Sequence, residues 1–149
     1  MRDNSKIWLG FRKSIRLYEE MLKSVCLKYH LTIIEADIIS FLQHNPGKDT
    51  AMDIVELRML SKGAVSKAVE SLIQKGILQR HPDGLDRRKI HLELLREADP
   101  ILKSIEETQQ SFRKMIFKGF TESELELYQK LNARIYKNTL SAAEGRRLA

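Results

Sequence analysis

Residues 80–94, RHPDGLDRRKIHLEL, hold a turn and then strict alternation, in a chain whose other apolar patterns run at helical spacing. Pro82, Asp83 and Gly84 mark the turn. Ile90, Leu92 and Leu94 then fall on one side of an extended segment, with Lys89, His91 and Glu93 on the other. With a first arm over Ile77 to His81 and a second over Lys89 to Leu94, the stretch predicts one β-hairpin. A lone hairpin is barely stable in water and must lean on other elements. Everything around it predicts helix, so the fold class expected is mainly α with a small β-hairpin.

The helices follow from spacing and end signals. Phe11, Ile15, Tyr18, Leu22, Val25 and Tyr29 recur at three- and four-residue steps and predict an amphipathic helix over 5–29. In TIIE, Thr32 and Glu35 form a capping box for a second helix, which carries Ile34, Ile38, Ile39 and Leu42 and stops at Asn45-Pro46-Gly47. A short helix is expected from Thr50 to Leu57, then one from an N-cap at Ser61 to a terminating Gly76. Beyond the hairpin, a helix over Arg96 to Phe120 accommodates Pro100 in its first turn. A second capping box, Thr121 with Glu124 and the staple Phe120/Leu125, opens a last helix to about Ser141. Residues 142–149 read as a frayed tail.

Three compact helices followed by a hairpin make a winged helix-turn-helix over residues 31–95. Helical regions flank it at 1–30 and 96–141, in a single 1–149 domain. No apolar run approaches the roughly 20 residues that span a bilayer, and MRDNSKIWLGFRKS is too charged for a secretory signal, so a cytoplasmic location is expected. One cysteine, Cys26, excludes an internal disulfide and a cysteine-based zinc site. Neither a glycine-rich phosphate loop nor a nucleophile beside a histidine emerges. The reading is therefore not of an enzyme: no catalytic residues and no cofactor are expected.

Charge supplies the functional signal. The net charge is +6, and residues 61–91 hold seven basic side chains against three acids. Basic charge gathered on one compact segment suits a polyanionic partner. In SKGAVSKAVESLIQKG, Val65, Ala68, Val69, Leu72 and Ile73 share one helical face. Lys62, Gly63, Ser66 and Lys67 lie on the other. Small and basic residues on an exposed helix front can enter the major groove and present hydroxyl and ammonium groups to base edges and phosphates. Gly63 costs about 1 kcal/mol relative to Ala in a helix interior, a cost that fits close approach of a partner or a place in the first turn. The hairpin then becomes a wing, carrying Arg87, Arg88 and Lys89 toward the minor groove or flanking phosphates. Asp83 and Asp86 are expected either to pair with these arginines or to brace the turn through backbone hydrogen bonds. Ser61, Lys62, Gly63, Ser66, Lys67, Arg87, Arg88 and Lys89 are thus the candidate DNA-binding residues, with double-stranded DNA the expected partner.

Three stretches resemble the MarR family of transcriptional regulators: LTIIEADIISFL, DIVELRMLSKGAVSKAVESLIQKGIL and DGLDRRKIHLELL. The wing is the most specific, since the family places an Asp, a basic or polar residue and an Arg before an alternating strand. Asp86 and Arg88 take those positions. The resemblance implies a homodimer joined through its long terminal helices, whose two recognition helices read a pseudo-palindromic operator, most often as a repressor. It also implies a small-molecule effector between the dimer helices and the DNA-binding lobe, where Tyr18, Leu22 and Phe41 are the candidate lining. Apolar residues at Leu125, Leu127, Tyr128, Leu131, Ile135, Tyr136 and Leu140 form more than one stripe, which leaves a face for a partner copy. Two positions depart from the family. Leu95 stands where a capping Thr is customary, and Arg58 where a core leucine is common, so Leu57 or Met59 is expected to supply that packing.

Two other readings compete. One is a winged-helix module that binds protein instead of DNA. The other is a redox-responsive regulator working through Cys26, although oxidant-sensing relatives carry their cysteine much further upstream of helix two, and Cys26 shares the apolar face of Leu22 and Tyr29. His30, His44, His81 and His91 are scattered without paired ligand spacing, so structural or surface roles are expected and no metal site.

Overall fold

The computed structural model describes residues 5–148; residues 1–4 of the first expected helical region and Ala149 of the expected tail lie outside them. In order come α1 (Ser5–Tyr29), α2 (Ile33–His44), α3 (Ala51–Arg58), α4 (Lys62–Gln74), β1 (Leu78–Pro82), β2 (Ile90–Leu94), a single 3₁₀ turn (Arg96–Ala98), α5 (Asp99–Ile116) and α6 (Glu122–Leu148). The residues gather into two compact units, one closing at Phe112 and the other running from Arg113. The division falls inside α5.

In the first unit a single core joins the helix-turn-helix to its neighbours. Leu22 and Val25 of α1, Ile38, Ile39 and Phe41 of α2, Ile54 of α3, Val65, Val69 and Leu72 of α4, Leu78 and Leu92 of the hairpin, and Ile101 and Ile105 of α5 are all buried. The caps were legible in advance. Thr32 and Glu35 close a reciprocal capping box on α2, and Ser61 Oγ accepts the Ala64 N–H at the start of α4. Thr50 and Asp53 form a third box on α3 that was not anticipated.

Helix α4 ends in a Schellman motif. Gly76 is left-handed at φ +73°, its N–H reaches Ile73 O, and the Ile77 N–H reaches Leu72 O at 3.0 Å. Helix α1 ends the same way with His30 in the left-handed region (φ 54°), the Leu31 N–H bonding to Cys26 O at 2.9 Å. The hairpin pairs antiparallel with Leu78 opposite Leu94 and Pro82 opposite Ile90. Its second strand is also pinned by a Leu92 N–H bond to Asp49 O at 2.8 Å, which ties the wing to the α2–α3 loop.

The packing expected of Leu57 or Met59 is not there. Both are exposed, Met59 at 92%, and Ile54 with the half-buried Leu60 fills that part of the core. Arg58 instead pairs with Asp37 and lies over the Phe41 ring at 6.0 Å, so its guanidinium caps the core that a leucine would have entered. Leu95 precedes the 3₁₀ turn with no side-chain cap, as the missing Thr implies.

The second unit holds the end of α5 and α6. Helix α5 stops at Ile116, short of the expected Phe120, and the chain turns through Gly119 at φ +85°. Phe117 packs on Phe120 and Tyr128, with ring centroids 5.4 and 5.3 Å away. The Thr121–Glu124 box opens α6 as expected. The expected end near Ser141 is corrected: α6 runs to Leu148 and 142–148 is helix, not frayed tail. Ala142, Ala143, Glu144, Arg146 and Arg147 are strong helix formers, and their summed preference outweighs the roughly 1 kcal/mol that Gly145 costs.

Candidate nucleic-acid interface

The face that α4 turns to solvent is the one expected. Ser61, Lys62, Gly63, Ser66 and Lys67 are exposed, while Val65, Ala68, Val69 and Leu72 are buried behind them. Gly63 sits at the second position of α4, where an added Cβ would meet nothing within 4 Å. Its backbone is therefore open to an outside partner, and as a first-turn residue it avoids the cost of a helix-interior glycine.

The wing turn is organised by two aspartates. Asp83 Oδ2 accepts the N–H groups of Leu85 and Asp86 at 3.0 and 2.7 Å, and Asp86 Oδ1 accepts the Arg88 N–H at 2.9 Å. The Asp83 N–H to Lys89 O bond closes the turn at 3.1 Å. Of the two expected roles, the aspartates take the second: they brace backbone, and neither pairs with an arginine among the described residues. Arg87, Arg88 and Lys89 are exposed, and no ion pair engages them or Lys62 and Lys67 among the described residues. Their charge is thus available to an outside anion.

Helix and wing meet in one groove. An open depression of about 630 Å³ is lined by Lys62 and Ser66 from α4, by Arg88, Lys89 and Ile90 from the wing, and by Thr50, Asp53 and Glu56 among the residues of α3 and its cap. Asp53 within it is occupied by the Thr50 cap, which leaves Glu56 as its free acid. Adjoining it, Ser66, Lys67 and Glu70 border a second depression with Arg80 of β1, where Arg80 bonds Glu70 at 2.8 Å.

Sequence reasoning missed His91, which was expected only in a structural or surface role. It lies between two carboxylates, Nδ1 at 2.7 Å from Asp49 and Nε2 at 2.7 Å from Asp83. Hydrogen bonds to Asp49, then to Asp83, hold its imidazole pKa above the ordinary value. In turn the His91 bond, with the Asp86 and Leu85 N–H groups, holds the Asp83 carboxyl far below the usual range. Asp49 is 42 residues away in the chain, and no local pattern announces it. Of the other histidines, His81 contacts Glu93, His44 bonds to Ser40 O, and His30 occupies the α1 terminus. No cluster of three or more potential metal ligands occurs among the described residues.

The three candidate effector residues belong to the packed core or its edge. Leu22 and Phe41 are core residues, 3% and 5% exposed. Tyr18 is half-buried, its hydroxyl accepting from Gln109 and its ring 5.2 Å from Phe112. Cys26 is 8% exposed, and burial followed by the nearby Glu35 carboxylate pushes its thiol pKa up, which suppresses the reactive thiolate.

A helix-turn-helix whose recognition helix shares a groove with a basic hairpin defines a winged-helix protein. The comparisons narrow the class: residues 30–89 match the model of the MarR family. That stretch holds the helix-turn-helix and the wing turn, and members of the MarR family are transcriptional regulators, not enzymes. Among curated relatives, the HTH-type transcriptional regulator PecS of Dickeya dadantii is 26% identical over 127 residues, covering 84% of this chain and 76% of PecS. The solved structure of the regulator SlyA superposes with a TM-score of 0.78 at 17% identity, over 91% of this chain and 94% of that one. BpsR of Bordetella bronchiseptica, whose DNA binding is regulated by 6-hydroxynicotinic acid, gives a TM-score of 0.69 at 16% identity, over 89% and 99% of the two chains. No helix among the described residues is long and apolar enough to cross a membrane.

Proposed function

We propose that the chain is a ligand-responsive repressor, acting in the cytoplasm as a homodimer on a pseudo-palindromic operator. The observation that carries this reading is the shared groove, where Lys62 and Ser66 of α4 and Arg88 and Lys89 of the wing face solvent together. Ser61, Lys62, Gly63, Ser66 and Lys67 enter the major groove, and Arg87, Arg88 and Lys89 reach the minor groove or its phosphates. Asp83 and Asp86 fix the turn that presents them.

Dimerisation is supported by the apolar surface of the terminal helices. On α1, Trp8, Phe11 and Ile15 are more than half exposed, and on α6 so are Leu127, Ile135, Tyr136 and Leu140. Aromatic and aliphatic residues repeated along a long helix suit burial against a second copy. The effector is a small molecule, by analogy with BpsR, which weakens DNA binding by favouring a different separation of the two recognition helices.

The test is a footprint of the purified protein on DNA upstream of its own gene, repeated over a range of salt. A protected, two-fold symmetric site supports the reading. A folded dimer with no salt-dependent DNA binding at any site would instead mark a protein-binding winged helix. Lys67→Ala is expected to reduce the salt dependence of operator affinity by about one unit of log–log slope, the signature of one lost phosphate contact. A slope equal to that of the unmodified protein removes Lys67 from the contact set.

A further inference from the structure

Both nitrogens of His91 are 2.7 Å from a carboxylate oxygen, one on Asp49 and one on Asp83. An ionised carboxylate only accepts, and a neutral imidazole has one N–H to give. Both contacts are hydrogen bonds only when the ring carries two protons. We propose that His91 is a positioning residue which, as an imidazolium, clamps the wing to the α2–α3 loop, so that DNA binding weakens when the ring loses its proton.

The clamp acts where the wing is built. Asp83 Oδ1 takes the His91 proton while Oδ2 holds the Leu85 and Asp86 N–H groups, so one carboxylate joins the ring to the turn bearing Arg87 and Arg88. Asp49 closes the other side. Its backbone carbonyl already binds the Leu92 N–H, and its side chain binds Nδ1 of the residue before. Loss of the proton removes one of the two bonds and turns a lone pair toward a carboxylate. Repulsion then frees either the turn or the loop.

The charged groups around the ring set the direction. Asp49 and its neighbour Lys48 approach from the α2–α3 loop, and Asp83, Asp86 and Lys89 belong to the wing turn. Opposite in the strand pair is His81, itself bonded to Glu93. Only Asp49 and Asp83 contact the ring among these, and both are acids that favour its charged form. A group with a raised folded-state pKa gives its full contribution below the ordinary value of 6.5 and loses it as pH rises through the folded value. The clamp is therefore closed below about pH 6.5 and opens as pH rises through the raised value of the ring.

The inference rests on the wing contacting DNA, so the experiment has two arms. In the free protein, nuclear magnetic resonance follows the His91 ring and the backbone amides of Leu85 and Asp86 as pH is raised. The amides are expected to shift with the same midpoint as the ring, above that of a free imidazole, and to lose this titration in His91→Gln, which stays neutral. Amides that ignore the ring, or a ring with an ordinary or lowered midpoint, would overturn the clamp. In the second arm, affinity is measured for a duplex selected by the unmodified protein from a random-sequence pool. Affinity is expected to fall about fivefold to tenfold more in the unmodified protein than in His91→Gln between about pH 6 and about pH 9. His81→Gln should keep the unmodified profile, which separates the two histidines. Parallel curves for the unmodified protein and His91→Gln overturn the effect on DNA. If no duplex is recovered at any pH, the DNA-binding reading falls and takes this second arm with it, while the amide titration still decides the clamp.

Discussion

Arg88→Ala is expected to weaken operator binding by about 1–3 kcal/mol, roughly 5- to 150-fold, while leaving fold and thermal stability unchanged. The two parts of this expectation have separate causes. Arg88 is exposed and joins no ion pair among the described residues, so truncation removes nothing the folded chain uses. Its backbone N–H is held by Asp86 at 2.9 Å, an interaction that alanine preserves. The side chain therefore leaves a fixed point on the wing and lines the same groove as Lys62 and Ser66. A guanidinium so placed can bond a base edge or phosphate bidentately. Gel-shift titration of the operator against Arg88→Ala and an Arg96→Ala control is the measurement. Equal affinities in a folded, dimeric Arg88 variant would remove the wing arginine from recognition.

Glu35→Ala is expected to lower the free energy of unfolding by about 2–4 kcal/mol, by urea denaturation. The carboxylate is almost wholly enclosed and serves three neighbours. Oε1 takes the Thr32 N–H at 3.0 Å, completing the α2 capping box, and Oε2 takes the Ser71 hydroxyl and the Lys75 ammonium, each at 2.9 Å. Alanine deletes the cap and strands both donors on α4, although Lys75 is a third exposed and recovers some solvation. Burial alone would raise the Glu35 pKa, but the bonds from Thr32, Lys75 and Ser71 outweigh it and hold the carboxyl below its usual value. The sign follows: this contribution is present above about pH 4.5 and is lost as pH falls through the lowered value. Glu35→Ala should therefore differ most from the unmodified protein near neutrality and converge with it in acid. A constant difference across that range would assign the effect to lost packing.

What the sequence made legible was local. Thr32, Ser61 and Thr121 announce helix starts through their own side chains, Gly76 announces an end, and the alternation of 90–94 sets a strand. These rest on interactions spanning a few residues. The exposed set Lys62, Ser66 and Lys67 was readable for the same reason, since helical periodicity separates it from Val65, Val69 and Leu72, and Arg87 and Arg88 were readable from their place beside the hairpin turn. Contacts across long separations were not readable. Arg58 reaches Asp37 and Phe41 on another helix, which displaced the packing expected of Leu57 or Met59. His91 finds Asp49 through the docking of the hairpin on the α2–α3 loop, an arrangement that no spacing of histidines encodes. Helix α6 outruns its expected end because the helix formers around Gly145 outweigh the cost of that glycine. Leu22 of α1 and Phe41 of α2, the candidate effector lining, are buried by packing between helices, which no single helix's periodicity encodes.

Lys75 gives the recognition helix a fulcrum. Its ammonium grips the His30 carbonyl and the Glu35 carboxylate, fastening the rear of α4 to the corner where α1 gives way to α2. The 13 residues of α4 extend about 20 Å forward from that anchor. A rotation of about 5° there sweeps the tip at Ser61 and Lys62 through nearly 2 Å, by the length of the rod alone. On the proposed reading, two such rods in a homodimer would face successive turns of DNA about 34 Å apart. A small tilt of α1, passed through that anchor, would then be magnified into a loss of step with the double helix.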